Sequence, residues 1–296
     1  VRRGLRPLAL AALAALAGIA PSAGAGAGTA DARAAARGAA WLAGAAAGAP
    51  GGQRADAIVA MAAAGRTPAR LRRPLAGLAR VAPAYGKGAG PAAKVALAAS
   101  AAGADPERFG GVDYIARVNR AYAAGRYGAT AYDQALSMLA LEAAGQPVPP
   151  AAVRALRAAR GAGGWGFDLR PGETDDASTT GLLIEALRAA GVPARDPALR
   201  AATAWMLRQR NADGGWGFGG PASPTEANST AIAVRALRAM GRRPPANARA
   251  LLRGLQDPDG AFRFRRDQPG SPLLATTDVV IALAGRTLPP PFGRSP

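Results

Sequence analysis

Asp176-Ala-Ser-Thr-Thr-Gly-Leu-Leu-Ile-Glu-Ala-Leu-Arg-Ala-Ala-Gly191-Val-Pro193 opens on a carboxylate and hydroxyls and closes on a glycine with a proline two residues later. A glycine just past a helix adopts the left-handed conformation without a Cβ penalty, and a nearby proline forbids continuation. The stretch therefore predicts one helix with both ends marked. The same grammar recurs at Ala57–Gly65, Lys94–Gly103, Asp133–Gly145, Ser229–Gly241 and Thr277–Gly285, with Pro68, Pro106, Pro147, Pro244 and Pro289 following. The six glycines stand 38, 42, 46, 50 and 44 residues apart, a spacing typical of stacked helical repeats.

Each segment's start reads as an N-cap site. Asp133, Asp176 with Ser178, Ser229 with Thr230, and Thr277 with Asp278 are residue types that satisfy free helix-start N–H groups, and Asp56 fits the first unit. Between each glycine and the next start lies a second, arginine-rich helix, best seen at Ala151–Arg160 and Pro197–Arg210. Apolar residues on one stripe and arginines on the other mark these as outer helices. Sheet content is expected to be near zero.

The loops between the helices share a motif. Gln256-Asp-Pro-Asp-Gly260-Ala-Phe262 and Arg210-Asn-Ala-Asp213-Gly214-Gly-Trp216 fit Gln-x-x-x-Gly-x-aromatic, the second with arginine for glutamine. Gly163-Gly164-Trp165-Gly166-Phe167 is a shorter copy, and Arg37-Gly38-Ala-Ala-Trp41-Leu42 matches the motif's opening. These resemble the QW motifs of the squalene-cyclase/prenyltransferase repeat class, clearly over residues 150–285 and in degenerate form over 35–145. The resemblance implies an all-α fold, an α6/α6 toroid of six helical hairpins closed into a barrel, over residues 31–288. In such a ring the inner helices run parallel and their N-terminal ends share one rim of a central cavity. The loop aromatics Trp165, Trp216 and Phe262 read as staples between repeats rather than ligand contacts.

Composition limits the chemistry. The chain has 296 residues, a net charge of +18, two lysines (Lys87 and Lys94), and neither cysteine nor histidine. Disulfides, His/Cys zinc sites and imidazole or thiol catalysis are excluded, so no metal site and no required cofactor is expected. The arginines read as solvated outer faces that can meet an anionic surface, and no nucleic-acid motif is present. Arg2, Arg3 and Arg6, the apolar run Leu8–Ala20, and small residues near Ala23–Ala27 read as a signal peptide over 1–30. The protein is thus expected to be secreted, periplasmic or at the cell surface, whether or not the segment is kept as an anchor. Residues 289–296 read as a disordered tail.

Candidate chemistry centres on Glu173-Thr174-Asp175-Asp176. It looks like the Asp-x-Asp-Asp followed by Thr-Ala of class II terpene cyclases such as squalene–hopene cyclase. That resemblance implies Asp175 as proton donor, flanked by Glu173 and Asp176, although Glu173 replaces the first aspartate and Ala177-Ser178 replaces Thr-Ala. Against it stand the need for an aromatic-walled cavity and the 15 aromatics of the whole chain, and plain helix capping explains the carboxylates equally well. By size and export the chain resembles more the toroid domain of transcobalamin and intrinsic factor. That resemblance implies a corrinoid as ligand and a separate β-rich partner domain, or a cell-surface component, to complete the site. The expectation is therefore a non-catalytic binder of a small corrinoid- or isoprenoid-like ligand, or of a partner, at the rim; a class II cyclase is the alternative. Tyr132, Asp133, Asp175, Asp176, Phe218, Asn228, Ser229, Thr277 and Asp278 are the expected ligand contacts, with Tyr132 and Phe218 stacking on a flat face.

Overall fold

The repeat grammar materialises as twelve α-helices among the described residues. The computed structural model describes residues 23–170, 172–221 and 223–290. Most of the proposed export segment, residues 1–22, and most of the expected tail, residues 291–296, lie outside them. In chain order the helices are α1 (Ala23–Ala45), α2 (Gly51–Ala63), α3 (Pro68–Tyr85), α4 (Ala89–Ala101), α5 (Tyr114–Arg120), α6 (Ala131–Ala143), α7 (Pro150–Ala158), α8 (Ala177–Ala189), α9 (Pro197–Arg208), α10 (Ala227–Ala239), α11 (Ala246–Gly254) and α12 (Pro272–Leu283). A two-residue hairpin, Tyr122–Ala123 with Arg126–Tyr127, and one bridge, Gln256 with Phe262, are the β-structure among them.

The even-numbered helices pack side by side in sequence order, and α12 returns to pack on α2. That contact closes the inner ring. Odd-numbered helices lie outside it: α3 rests on α2 and α4, α9 on α8 and α10, α11 on α10 and α12. Burial follows the layer. Every residue of α8 from Ala177 to Leu187 is buried, whereas α7 buries only Ala152 and Leu156 and α11 only Ala248 and Leu252. Nine-residue helices do not persist alone in water. Such an outer helix is held by its buried i, i+4 pair, each leucine contributing about 1.5–3 kcal/mol.

All six predicted stops form the same cap. Gly65, Gly103, Gly145, Gly191, Gly241 and Gly285 have φ between 70° and 85°. In each case the following N–H reaches back to a carbonyl five residues earlier, as Arg66 does to Met61 and Val192 to Leu187. This 6→1 bond needs the left-handed glycine, so the stops are determined locally.

The helix starts differ from the sequence expectation. Asp176 does cap α8, accepting the Thr179 N–H at 2.7 Å. Asp133 instead sits at the third position of α6 and completes a capping box with Thr130. Helix α10 starts behind Glu226, α12 behind Ser271 and α2 behind Pro50, so Ser229, Thr277, Asp278 and Asp56 lie within helices and cap nothing. Proline or glycine stands at the starts of α2 and α12 in place of a side-chain cap, which hid those two entrances.

The loop motifs hold the repeats together. Trp165, Trp216 and Phe262 are fully buried, and their backbone N–H groups donate to the hydroxyls of Thr180, Thr230 and Thr276 at 2.9, 3.0 and 2.8 Å. Both indole N–H groups also find carbonyls of the preceding outer helix, Leu156 and Met206. The same motif seals the ring. Arg37 donates to Gln256, Trp41 to Asp259 at 3.0 Å, and Asp31 accepts from both Arg249 and Arg253. A Cβ at Gly38 would stand 2.5 Å from Val280, which is why α1 carries a glycine where it crosses α12.

Candidate functional site

The inner helices surround one central cavity of about 350 Å³. Much of its wall is apolar: Val59, Leu97, Leu136, Leu182, Leu274, Ile281 and Leu288, with the rings of Tyr132, Phe218 and Phe264. The residues facing it occupy matching helix positions. Tyr132, Ser178 and Asn228 are second in α6, α8 and α10, and Asp56, Lys94, Leu136, Leu182 and Thr277 are sixth in their helices.

Charged side chains share the wall. Lys94 Nζ on α4 lies 2.5 Å from Asp56 on α2. Arg235 on α10, 2% exposed, donates to the fully buried Glu185 on α8 at 3.1 Å and to Asp278 on α12 at 2.7 Å. Asn228 donates to the other Asp278 oxygen at 2.7 Å, and the Leu288 N–H donates to Glu185 at 3.0 Å. Buried ions survive only when paired and hydrogen-bonded, and this cluster meets that condition across the inner ring. Burial pushes the Asp56 and Glu185 carboxyls up from their ordinary values, while the Lys94 and Arg235 charges pull the other way. Tyr132 is raised by the same burial, aided by the Asp278 charge, and is a neutral phenol.

One further acidic residue, Glu226, lines the same cavity. Burial raises it too, opposed by a hydrogen bond from Ser229 and by the more distant Arg265.

Of the expected ligand contacts, Tyr132, Phe218, Asn228, Thr277 and Asp278 line the cavity. Asp133, Asp175, Asp176 and Ser229 do not. Asp175 accepts the N–H groups of Gly163 and Gly164 at 2.9 and 2.8 Å, and Glu173 accepts that of Asp168 at 2.9 Å. The acidic cluster thus braces its own loop. Lys94, Glu185, Glu226 and Arg235 escaped the sequence reading. For Lys94, Glu185 and Arg235 the signal was a charged residue inside an otherwise apolar inner helix, a pattern that burial makes costly unless it is used, whereas Glu226 precedes α10.

No family model matches the chain. Over 106 residues it is 42% identical to the drimenyl diphosphate synthase of Streptantibioticus cattleyicolor, which is 33% of this chain and 19% of that protein. Over 107 residues it is 40% identical to the enzyme of the same name from Streptomyces showdoensis, 32% and 20% of the two chains. The matched stretch thus spans about a fifth of these relatives. Type II terpene cyclase MstE from Scytonema superposes with a TM-score of 0.62 at 17% identity, covering 87% of this chain and 98% of that one. An MstE variant in complex with geranylgeranyl dihydroxybenzoate, its substrate, gives 0.61. The fold is that of the class II terpene cyclases. ent-Copalyl diphosphate synthase from Streptomyces platensis shares it at a TM-score of 0.53 and 20% identity, over 79% of this chain and 50% of that one.

These matches correct two expectations. The likeness to the transcobalamin and intrinsic-factor toroid is overturned, and the corrinoid ligand loses its support, because the structural neighbours are terpene cyclases. The leaning towards a non-catalytic binder is overturned as well, since the relatives in sequence and in fold are enzymes. The aromatic shortage argued from composition misjudged the cavity, because three of the scarce rings converge on it. Among the described residues no group of three or more Asp or Glu side chains is placed to hold a metal ion.

Proposed function

We propose that this protein is a class II-type terpenoid cyclase that folds an isoprenoid chain into its central cavity and starts ring closure by protonating it. The observation that carries this reading is the cavity itself: an apolar, ring-lined wall with carboxyls set into it, within a terpene-cyclase fold. An apolar wall coils a hydrocarbon chain and excludes water from a carbocation, while aromatic faces stabilise positive charge. A carboxyl in dry surroundings keeps its proton until an alkene is positioned to take it. About 350 Å³ is at the small end for ligand cavities, which favours a short polyprenyl substrate over a triterpene.

Incubation with farnesyl diphosphate, geranylgeranyl diphosphate and squalene, with products separated by gas chromatography after dephosphorylation, tests the reading. A cyclic isomer from one of the shorter substrates is expected. No cyclic product from any of the three would overturn it. The export reading of residues 1–30 rests on sequence order alone. A mature N-terminus between Gly24 and Asp31 is its expected outcome.

A further inference from the structure

Like positions of neighbouring inner helices meet. Ser178 near the start of α8 lies 2.8 Å from Ser229 near the start of α10, and Arg188 in the last turn of α8 donates to the carbonyl of Ala239, the last residue of α10. Asn228 with Asp278, and Arg238 with the carbonyl of Ala282, align α10 and α12 in the same sense. These three helices therefore run parallel, and the cavity between them has a starting end and a finishing end. Ser178 and Asn228 mark the starting end, with Phe218 of the loop before α10, which is 53% exposed.

The finishing end is crossed by the chain itself. Helix α12 ends at Leu283 with Gly285 just beyond it, and α10 separates α12 from α8 in the ring. Five residues after α12 the Leu288 N–H nevertheless reaches α8, donating to Glu185 at 3.0 Å. Glu185 is the ninth residue of α8 and is bonded to Arg235, the ninth of α10. At this level Leu288, not Glu185, lines the cavity, and it packs against the apolar core. Val59 and Leu97, the ninth residues of α2 and α4, line it as well, so Leu288 completes this layer.

From this crossing we infer that Leu288 fixes how long an isoprenoid chain the cavity accepts, an inference that rests on the function proposed above. At a rise of 1.5 Å per residue the second and ninth helix positions are about 10 Å apart, so a chain admitted between the helix starts brings its far end to this layer. The aliphatic residues that α2, α4, α6 and α8 give to the wall are packed between neighbouring helices, and changing their size disturbs the ring. Leu288 belongs to no helix and is anchored through its backbone, so its side chain can shrink or grow with the ring left in place. A close-packed apolar end discriminates length because an added methylene has no space, an effect of about 10–200-fold.

The test measures kcat/KM for farnesyl diphosphate and for geranylgeranyl diphosphate in the wild type, Leu288→Ala, Leu288→Val, Leu288→Phe and Leu199→Ala, with a circular dichroism spectrum of each. Leu288→Ala is expected to shift the ratio towards the longer substrate by about 10-fold or more. Leu288→Val should shift it less in the same direction, and Leu288→Phe in the opposite direction. Leu199→Ala empties a buried site in the outer helix α9, so it should lower the melting temperature and leave the ratio unchanged. If Leu288→Ala does not fold, Leu288→Val and Leu288→Phe decide. Unchanged ratios in the folded Leu288 variants, or an equal shift in Leu199→Ala, overturn the inference and leave the cyclase reading standing. A wild type that cyclises squalene alone also overturns the inference, and one that cyclises none of the three substrates overturns the function with it.

Discussion

The loops entering α8 and α10 derive from one repeat and have been put to opposite uses. Before α8, three carboxylates accept backbone N–H groups: Glu173 from Asp168, Asp176 from Thr179, and Asp175 from Gly163 and Gly164 through one oxygen, its other oxygen being buried without a partner. Before α10 the equivalent stretch is Ser223-Pro-Thr-Glu226, and its lone carboxylate makes no backbone contact of that kind. Loop bracing there falls to Asn211 and Thr225, which bond each other at 2.8 Å, with Thr225 reaching Asp213. The acidic cluster therefore braces its own loop, whereas the isolated glutamate lines the cavity and accepts from Ser229. Carboxylates deep in the ring form a third class, satisfied by cations from neighbouring inner helices.

Removing a cation from that third class gives the largest expected effect. Arg235→Met leaves Glu185 buried without its partner and should cost about 3–5 kcal/mol, read from chemical denaturation. If the cost is near zero, the interior is wetter than its burial indicates and the contrast with the loop carboxylates collapses. The next effect separates the two entrances directly. Asp176→Ala removes a formed cap and should cost about 1–2 kcal/mol, whereas Glu226→Ala in the same seat removes none and should be close to neutral. Equal losses would show that Glu226 has a structural task after all.

The smallest effect is a pH dependence. Burial raises the Glu226 carboxyl above its ordinary 4.5, so the folded state binds this proton more tightly than the unfolded chain does. That contribution is fully present below 4.5 and is lost as pH climbs through the raised folded value. A glutamine carries no such proton. Glu226→Gln should therefore gain stability relative to the wild type as pH rises above the ordinary 4.5, measured as the difference of melting temperatures. A difference independent of pH would mean that Glu226 is solvated.

What the amino-acid sequence determined by itself was where the inner helices stop. Six glycines followed by prolines could only be helix stops, and each forms the same left-handed cap. Their spacing specified the hairpins, the arginine stripes assigned the outer layer, and the loop aromatics announced the staples that lock one repeat on the next. Legibility ended where a residue's role depends on how a helix is rotated within the ring. Inner helices are apolar on nearly all sides because both the outer layer and their neighbours cover them, so no periodic stripe singles out the face turned to the cavity. Asp56, Lys94, Glu185, Arg235 and Asp278 are far apart in sequence on five different helices, and only ring closure through the α12–α2 contact brings them together. The choice between Asp176 and Glu226 is finer still. Both stand at the same backbone position with a hydroxyl residue three positions on, yet Asp176 caps α8 and Glu226 accepts from Ser229 at the cavity wall. That decision belongs to the packed structure, because it is made by what lies within reach of the side chain and not by the side chain's own propensity.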